Sequence, residues 1–443
     1  MTLAIFKELD ERQSRMGYVA CIAAVASREL DDRDTLRERF ASLVFQKIVP
    51  TDDRWGASVG LIDEADLKKL QSYPSRRPAL PTTRSADMPG FHYLSDLWLN
   101  QRTMPSKTGP LDPERSDVII EHARHLGILG LGYALTERGS AVRATLPKFL
   151  LEKQRPELAP NPMNVFADPA MRAAMAYCYL GSDAVLPYLL QQVVTAGRVS
   201  HFDAGVLVRA IEAMLTTMRR IGGIADAETT REIADYMSRV SPEGPAREPT
   251  FGARGLPQAL QAPAGNRKRH SAAPAKKVHR HHLRPRLEHL IDVGLLARSV
   301  PSSDDPPFQA VAATTRAATA FEELREDPRR IQGLLDTKFF GTWAEIHGPA
   351  AKPSADRTVL LQFAKAYELV KRSMGFTPGR TVALAASFLA LREGVVLEVD
   401  PTMELVLNAA RGPLNKYFQF SGGTRLDREF MIRVRPELRD ELR

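Results

Sequence analysis

The residues best equipped for chemistry in this sequence crowd between Pro249 and Leu287. Nine are Lys or Arg (Arg254, Arg267, Lys268, Arg269, Lys276, Lys277, Arg280, Arg284 and Arg286), four are His (His270, His279, His281 and His282), and none is Asp or Glu. The chain carries a formal charge of +8, so without this stretch the remainder is about neutral. Any polyanion should therefore be held at one place rather than over the whole surface. A metal reading of His279, His281, His282 and His289 is weaker, because zinc sites want rigid spacing and usually mix in Cys or carboxylate, and no Cys is near. Glu121, His122 and His125 fall within one helical turn and raise the same question. A solvated basic surface is the simpler account of both groups.

Patterns for catalysis are missing elsewhere. Gly127, Gly130 and Gly132 follow a helix rather than a strand and have the wrong spacing for a dinucleotide site. No P-loop, nucleophile elbow, HExxH or two-carboxylate nuclease pattern stands out, and Asp52-Asp53 and Asp304-Asp305 lie beside Pro or Thr where turn formation explains them. The expectation is a non-enzyme with no cofactor and no metal. An active site within the irregular residues 50–112 is the one catalytic reading left open.

A length of 443 residues suggests two to four domains, and 44% hydrophobic with 26% charged residues is an ordinary soluble composition. Cys21 and Cys178 are far apart, which fits a reducing cytoplasm and no disulfide framework. The apolar run Met16 to Ala26 is about half of a membrane span. Ala24-Val25-Ala26 looks like a signal-peptidase site, but residues 1–15 lack the positive bias of an export signal. A cytoplasmic protein without membrane contact is expected.

The elements that would position the basic stretch read as mostly helical. Ala4 to Arg28 and Asp34 to Lys47 are two helices, and Asp63 to Leu70 a short third amid Pro-punctuated chain. Asp112-Pro113-Glu114 starts a helix to about His125, ended by Gly127. Ser140 to Leu151 follows. Pro169–Tyr179, Asp183–Ala196, Phe202–Arg220 and Ala227–Arg239 make a bundle, with the four-residue Met spacing of Met171/Met175 and Met214/Met218 read as core filling. Residues 241–275 are a Pro-, Gly- and Ala-rich linker. Near the C-terminus, Ser354–Met374 and Gly379–Arg392 are helices, Val395–Val399 an apolar strand, and Lys416–Ser421 with Arg428–Arg435 a hairpin around Gly422-Gly423.

Two stretches resemble winged helix-turn-helix DNA-binding domains. Gly127 through Leu131 and Leu135-Thr136-Glu137-Arg138-Gly139 are similar to the family's helix-ending Gly, short wing and Leu-Thr-x-x-Gly element. The second copy, 276–324, would place its turn and recognition helix in Val278–Val293, its entry to the wing at Gly294-Leu295-Leu296, its hairpin in Arg298–Gln309 and its next helix start at Thr314-Thr315-Arg316-Ala317. Residues 354–435 are a third copy or a small α+β module. The resemblance implies a mainly α, multi-domain protein with small β-hairpin wings: 1–111 helical and irregular, 112–160 the first module, 161–240 a bundle, 241–275 a linker, 276–326 the second module and 327–443 the third region.

The resemblance also implies DNA as the partner. Recognition helices meet base edges at their N-terminal part while flanking Lys and Arg hold phosphates. The residues expected to do so are Arg267, Lys268, Arg269, Lys276, Lys277, His279, Arg280, His282, Arg284, Arg286, Arg298 and Arg316. The helix Pro113–His125 balances Glu114, Asp117 and Glu121 against Arg115 and Arg124 and should pack against protein. The alternative is a structural subunit of a bacterial complex, such as a phage-defence or chromosome-maintenance assembly, with winged helices docking protein subunits; a homodimer is a further expectation.

Overall fold

The structure is a computed structural model that describes residues 16–43, 113–151, 166, 168–200, 203–221, 274–298, 309–319, 321–348, 355–373, 375–421 and 430–442. It is mainly helical with two small three-stranded antiparallel sheets, as the sequence led one to expect. Among the described residues no helix is long and apolar enough to cross a membrane. The expected helices Asp63–Leu70 and Ala227–Arg239, all of the expected linker 241–275 but its last two residues, which open a helix, the hairpin tip 299–308 and the cations Arg267, Lys268 and Arg269 lie outside the described residues.

The N-terminal region holds α1 (Gly17–Val25), α2 (Arg33–Leu43), α3 (Pro113–His125), α4 (Glu137–Ala144) and α5 (Lys148–Leu151). The single helix expected over Ser140–Leu151 is two, because Pro147 has no amide to donate and the chain turns at Thr145. Where α3 ends, Gly127 takes φ +67, a left-handed turn that costs a residue without Cβ little. Leu129 then bridges Leu135, whose amide donates to Ser27 O at 2.7 Å. Thr136 starts α4 by accepting from Gly139 N at 2.9 Å. Three extended backbone positions, 27, 135 and 129, thus sit side by side behind three helices.

The same arrangement is fuller in the middle of the chain. After α6 (Pro169–Leu180), capped by Asp168, come α7 (Leu186–Ala196), β1 (Val199–Ser200), α8 (Ala204–Arg220) and α9 (Pro274–Asp292). The hairpin β2 (Leu296–Arg298) and β3 (Gln309–Ala312) follows, with Leu296 opposite Ala312 and Arg298 opposite Ala310. β1 adds to the other edge of β3, Val199 opposite Ala310, giving the order β1-β3-β2. So the unit that contains this hairpin begins with helices at 186–220, residues read from sequence as part of a separate bundle. Thr314 Oγ1 accepts from Ala317 N at 3.0 Å, the same cap as Thr136 makes, and starts α10 (Thr315–Thr319).

After α11 (Glu322–Glu326) and α12 (Ile331–His347), the C-terminal region repeats the connectivity: α13 (Asp356–Val370), β4 (Thr377–Pro378), α14 (Gly379–Ala390), α15 (Val399–Ala409), β5 (Phe418–Ser421), β6 (Met431–Val434) and α16 (Leu438–Glu441). The order is β4-β6-β5, with Phe418 opposite Val434 and Thr377 opposite Ile432. The hairpin stands where it was expected. The strand expected at Val395–Val399 does not form: 395–398 are irregular and Val399 opens α15. That apolar run is buried as a helix approach, which periodicity over five residues cannot distinguish from a strand.

One hydrophobic core joins all three regions. Its centre is α14, every residue of which except Arg380 is buried; its Ala383, Ala385, Ala386, Ser387 and Ala390 let α4, α6, α13 and α15 approach closely. Gly139 on α4 has a stricter role, since a Cβ there would lie 2.1 Å from the backbone oxygen of Ile128. Gly139→Ala is expected to destabilise the protein by about 2–3 kcal/mol, because the backbone it strikes cannot rotate away. Urea unfolding followed by circular dichroism reads this; an unchanged midpoint would refute the packing argument.

Candidate nucleic-acid interface

Helix α9 carries the basic stretch into the fold, and Pro285 divides it. Pro274 fits the first position of a helix, where a missing amide costs nothing. The N-terminal half holds Lys276, Lys277, His279 and Arg280, with no acidic residue before Glu288. Pro285, inside the helix, has no amide for the carbonyl of residue 281. One helix runs through where a turn and a separate recognition helix were expected.

From Leu283 onward α9 is rooted in the body. Leu283, Leu287 and Leu290 are fully buried, and so is Arg286. Arg286 Nε donates to Asp183 Oδ2 at 2.8 Å, with both side chains at 0% exposure, and Arg286 Nη1 donates to His282 O at 3.0 Å. Asp183 lies in the turn between α6 and α7, where its Oδ1 accepts from Val185 N at 3.2 Å. Arg284 is 3% exposed with Glu288 Oε1 3.7 Å away, one turn on. His289 stacks on His122 of α3 with ring centroids 4.9 Å apart, and Tyr179 of α6 meets it edge-on at 4.7 Å. Asp292 Oδ2 accepts from Met16 N at 3.1 Å.

These positions correct part of the sequence reading. Arg284 and Arg286 are closed off from any phosphate; their charge is used inside the protein. His282 is half-buried, its carbonyl engaged by Arg286. Lys276, Lys277, His279 and Arg280 share the N-terminal half of α9, and Arg298 belongs to β2 of the same unit. Arg316 is exposed on α10, where Nη1 donates to Glu345 O at 2.9 Å. The sequence reading missed Asp183, which looked like a helix start, and the exposed Arg198 and Arg209 on either side of β1. Only knowledge that 186–220 joins the second hairpin would have singled them out.

The third helices of the other regions are turned to protein. In α3, Asp117 takes both ends of the Arg37 guanidinium, at 2.9 and 3.0 Å, and also Arg33 Nε at 3.2 Å. Glu121 takes Arg124 at 2.8 Å. Through Arg33 and Arg37, α3 is tied to α2 of the same chain. In front of α15, Glu398 accepts from Gly341 N at 2.7 Å and Phe340 N at 3.3 Å of α12. Among the described residues no three His, Cys, Asp or Glu side chains gather as a metal-holding group, and His122 is buried in its stack with His289.

Burial shifts several protonation equilibria here. The His122 imidazole is held well below its ordinary value by desolvation, then by the neighbouring charges of His289 and His125. His347, against Trp343 at 4.2 Å, is lowered to about 4 by burial and then by Arg172. Glu398 is raised to about 7 by burial, against the lowering effect of its two amide bonds. Comparison with protein-family models, curated proteins and solved structures finds no match to this chain.

Two outcomes follow from this geometry. Asp183→Leu leaves a buried guanidinium without its counter-charge and is expected to cost about 3–5 kcal/mol in chemical denaturation; a loss under about 1 kcal/mol would contradict the burial described. As for pH, the unfolded chain protonates His122 and His347 from about pH 6.5 downward, whereas the folded chain resists. Their stabilisation is therefore present above pH 6.5 and lost as pH falls. Glu398 acts in the opposite sense between about pH 7 and 4.5, so the sensitive measurement is a difference. The fall in Tm between pH 7.5 and 5 should be shallower in His122→Phe than in wild type, and parallel profiles would discount the buried imidazole.

Proposed function

We propose that this chain binds duplex DNA without catalysis, that its repeated helix–strand–helix–helix–hairpin units are winged helices, and that the second unit makes the main contact. The observation that carries the reading is helix α9. It is the third helix of its unit, its N-terminal half is purely cationic, and its C-terminal half is held by Arg286–Asp183, the His122–His289 stack and Asp292. A third helix offered in this way brings its N-terminal residues to the major groove. Lys276, Lys277 and Arg280 are then the phosphate- and base-edge cations of the helix, with Arg298 on the hairpin and Arg316 beyond it in support.

The first and third units serve protein contacts. Their third helices bring acids, Asp117 and Glu121 on α3 and Glu398 and Asp400 at the start of α15, which would repel a phosphate backbone. Leu30 and Leu131, 83% and 86% exposed, lie together at the tip of the first unit, as Leu30 packs onto Gly132. That apolar tip favours a second reading, in which the chain is also a structural subunit of a larger assembly.

Lys276/Lys277/Arg280→Ala tests the main reading without touching the buried arginines. Wild type should retard a generic duplex at low salt. The triple variant should bind at least tenfold more weakly, and its log-log salt slope should be shallower by about 3, since each lost phosphate contact removes about 0.9. Equal retention of the duplex by both proteins, or none by wild type, would discard the DNA reading.

A further inference from the structure

A second cluster of cations stands where the first and third units meet. Arg28 follows α1, Arg143 lies on α4, and Arg372 follows α13. Arg28 donates through Nη1 to Lys371 O and through Nη2 to Leu369 O at 3.0 Å, which sets it beside Arg372. Arg143 Nη1 donates to Ala26 O at 2.8 Å, two residues from Arg28. Among the described residues none of the three has a carboxylate partner. Their like charges press on each other: burial, then Arg143 and Arg372, hold the Arg28 guanidinium below its ordinary value.

A structural account explains part of this cluster. Ala26 O, Leu369 O and Lys371 O are at the ends of α1 and α13, where exposed carbonyls and the helix dipole favour cations. That account covers Arg28 and Arg143. It does not cover Arg372, which is exposed, donates to no helix end and adds a third positive charge to a partly desolvated pair. Each guanidinium has five N–H donors in a planar fork, so most of those in the cluster remain for a ligand. A tetrahedral oxyanion is the chemistry that neutralises neighbouring guanidinium groups and uses their forks.

We infer that Arg28, Arg143 and Arg372 form a phosphate-binding site at the junction of the first and third units. The phosphate comes either from a DNA backbone or from a free anion. The site lies apart from α9 and does not depend on the DNA reading of that helix. Occupancy would tie α1, α4 and α13 together, so binding should raise the stability of the folded chain.

The full chain is heated in inorganic phosphate and in sodium chloride at matched ionic strength, as wild type, Arg372→Gln and Lys276/Lys277/Arg280→Ala. The expected result is a Tm increase specific to phosphate in wild type and in the triple variant, lost in Arg372→Gln. Arg372→Gln removes no bond that the fold uses, and Arg143→Gln provides an independent second loss. Duplex binding separates the two sources. With a backbone phosphate, Arg372→Gln weakens the duplex several-fold and flattens the salt slope by about 1; with a free anion, duplex binding is unchanged. Wild type gaining nothing from phosphate over chloride, together with wild-type duplex binding by Arg372→Gln, overturns the site.

Discussion

The buried ion pair of Arg286 with Asp183 is the constraint on which the arrangement of this chain depends. Both groups are fully withdrawn from water, and an ion pair in such a place gains little net stability over an apolar pair of the same volume. Its consequence is geometric. Removing either partner leaves a bare buried charge, so α9 has one root position rather than several that are nearly as good. Arg286 also reaches back past Pro285 to the carbonyl of His282. The helix is thus held from Leu283 onward.

The three regions show how one connectivity can serve opposite ends. In each, a third helix ends at or near a glycine or turn before a short extended segment, and a Thr caps the next helix in the first two. Charge on the third helix separates them. Asp117 and Glu121 recruit Arg33 and Arg37 and draw α3 onto α2. Glu398 draws α15 onto the amides of α12. Helix α9 has no acid in its first half to recruit anything. Similar backbones therefore gain different neighbours according to a few side chains in one helix.

Much of this was legible in the sequence where the physics is local. Proline at the starts of α3 and α6 and Gly127 after α3 act over a few residues, and these ends fall where expected, whereas the helix expected from Ser140 starts earlier, at the Thr136 cap. The C-terminal hairpin followed from alternation on both sides of Gly422-Gly423. What could not be read is non-local. β1 has two residues, too few for any periodicity, and pairs with a strand more than a hundred positions later. Asp183 lies 103 residues before Arg286. Counting Arg284 and Arg286 with the phosphate contacts treated a run of cations as one surface, while a helix distributes such a run around its circumference and along its depth.

That distribution changes what the local charge means. Two of the cations nearest the end of the stretch are spent internally, one on Asp183 and one beside Glu288, and offset charge the fold itself had to bury. The field available to a polyanion is therefore weaker than the sequence count implies and lies nearer the start of α9. The same root touches His122 of α3 and the backbone of Met16, so α9 is continuous with the core of the first unit. The position of α9 and the stability of the N-terminal unit are, in consequence, coupled through the His122–His289 stack.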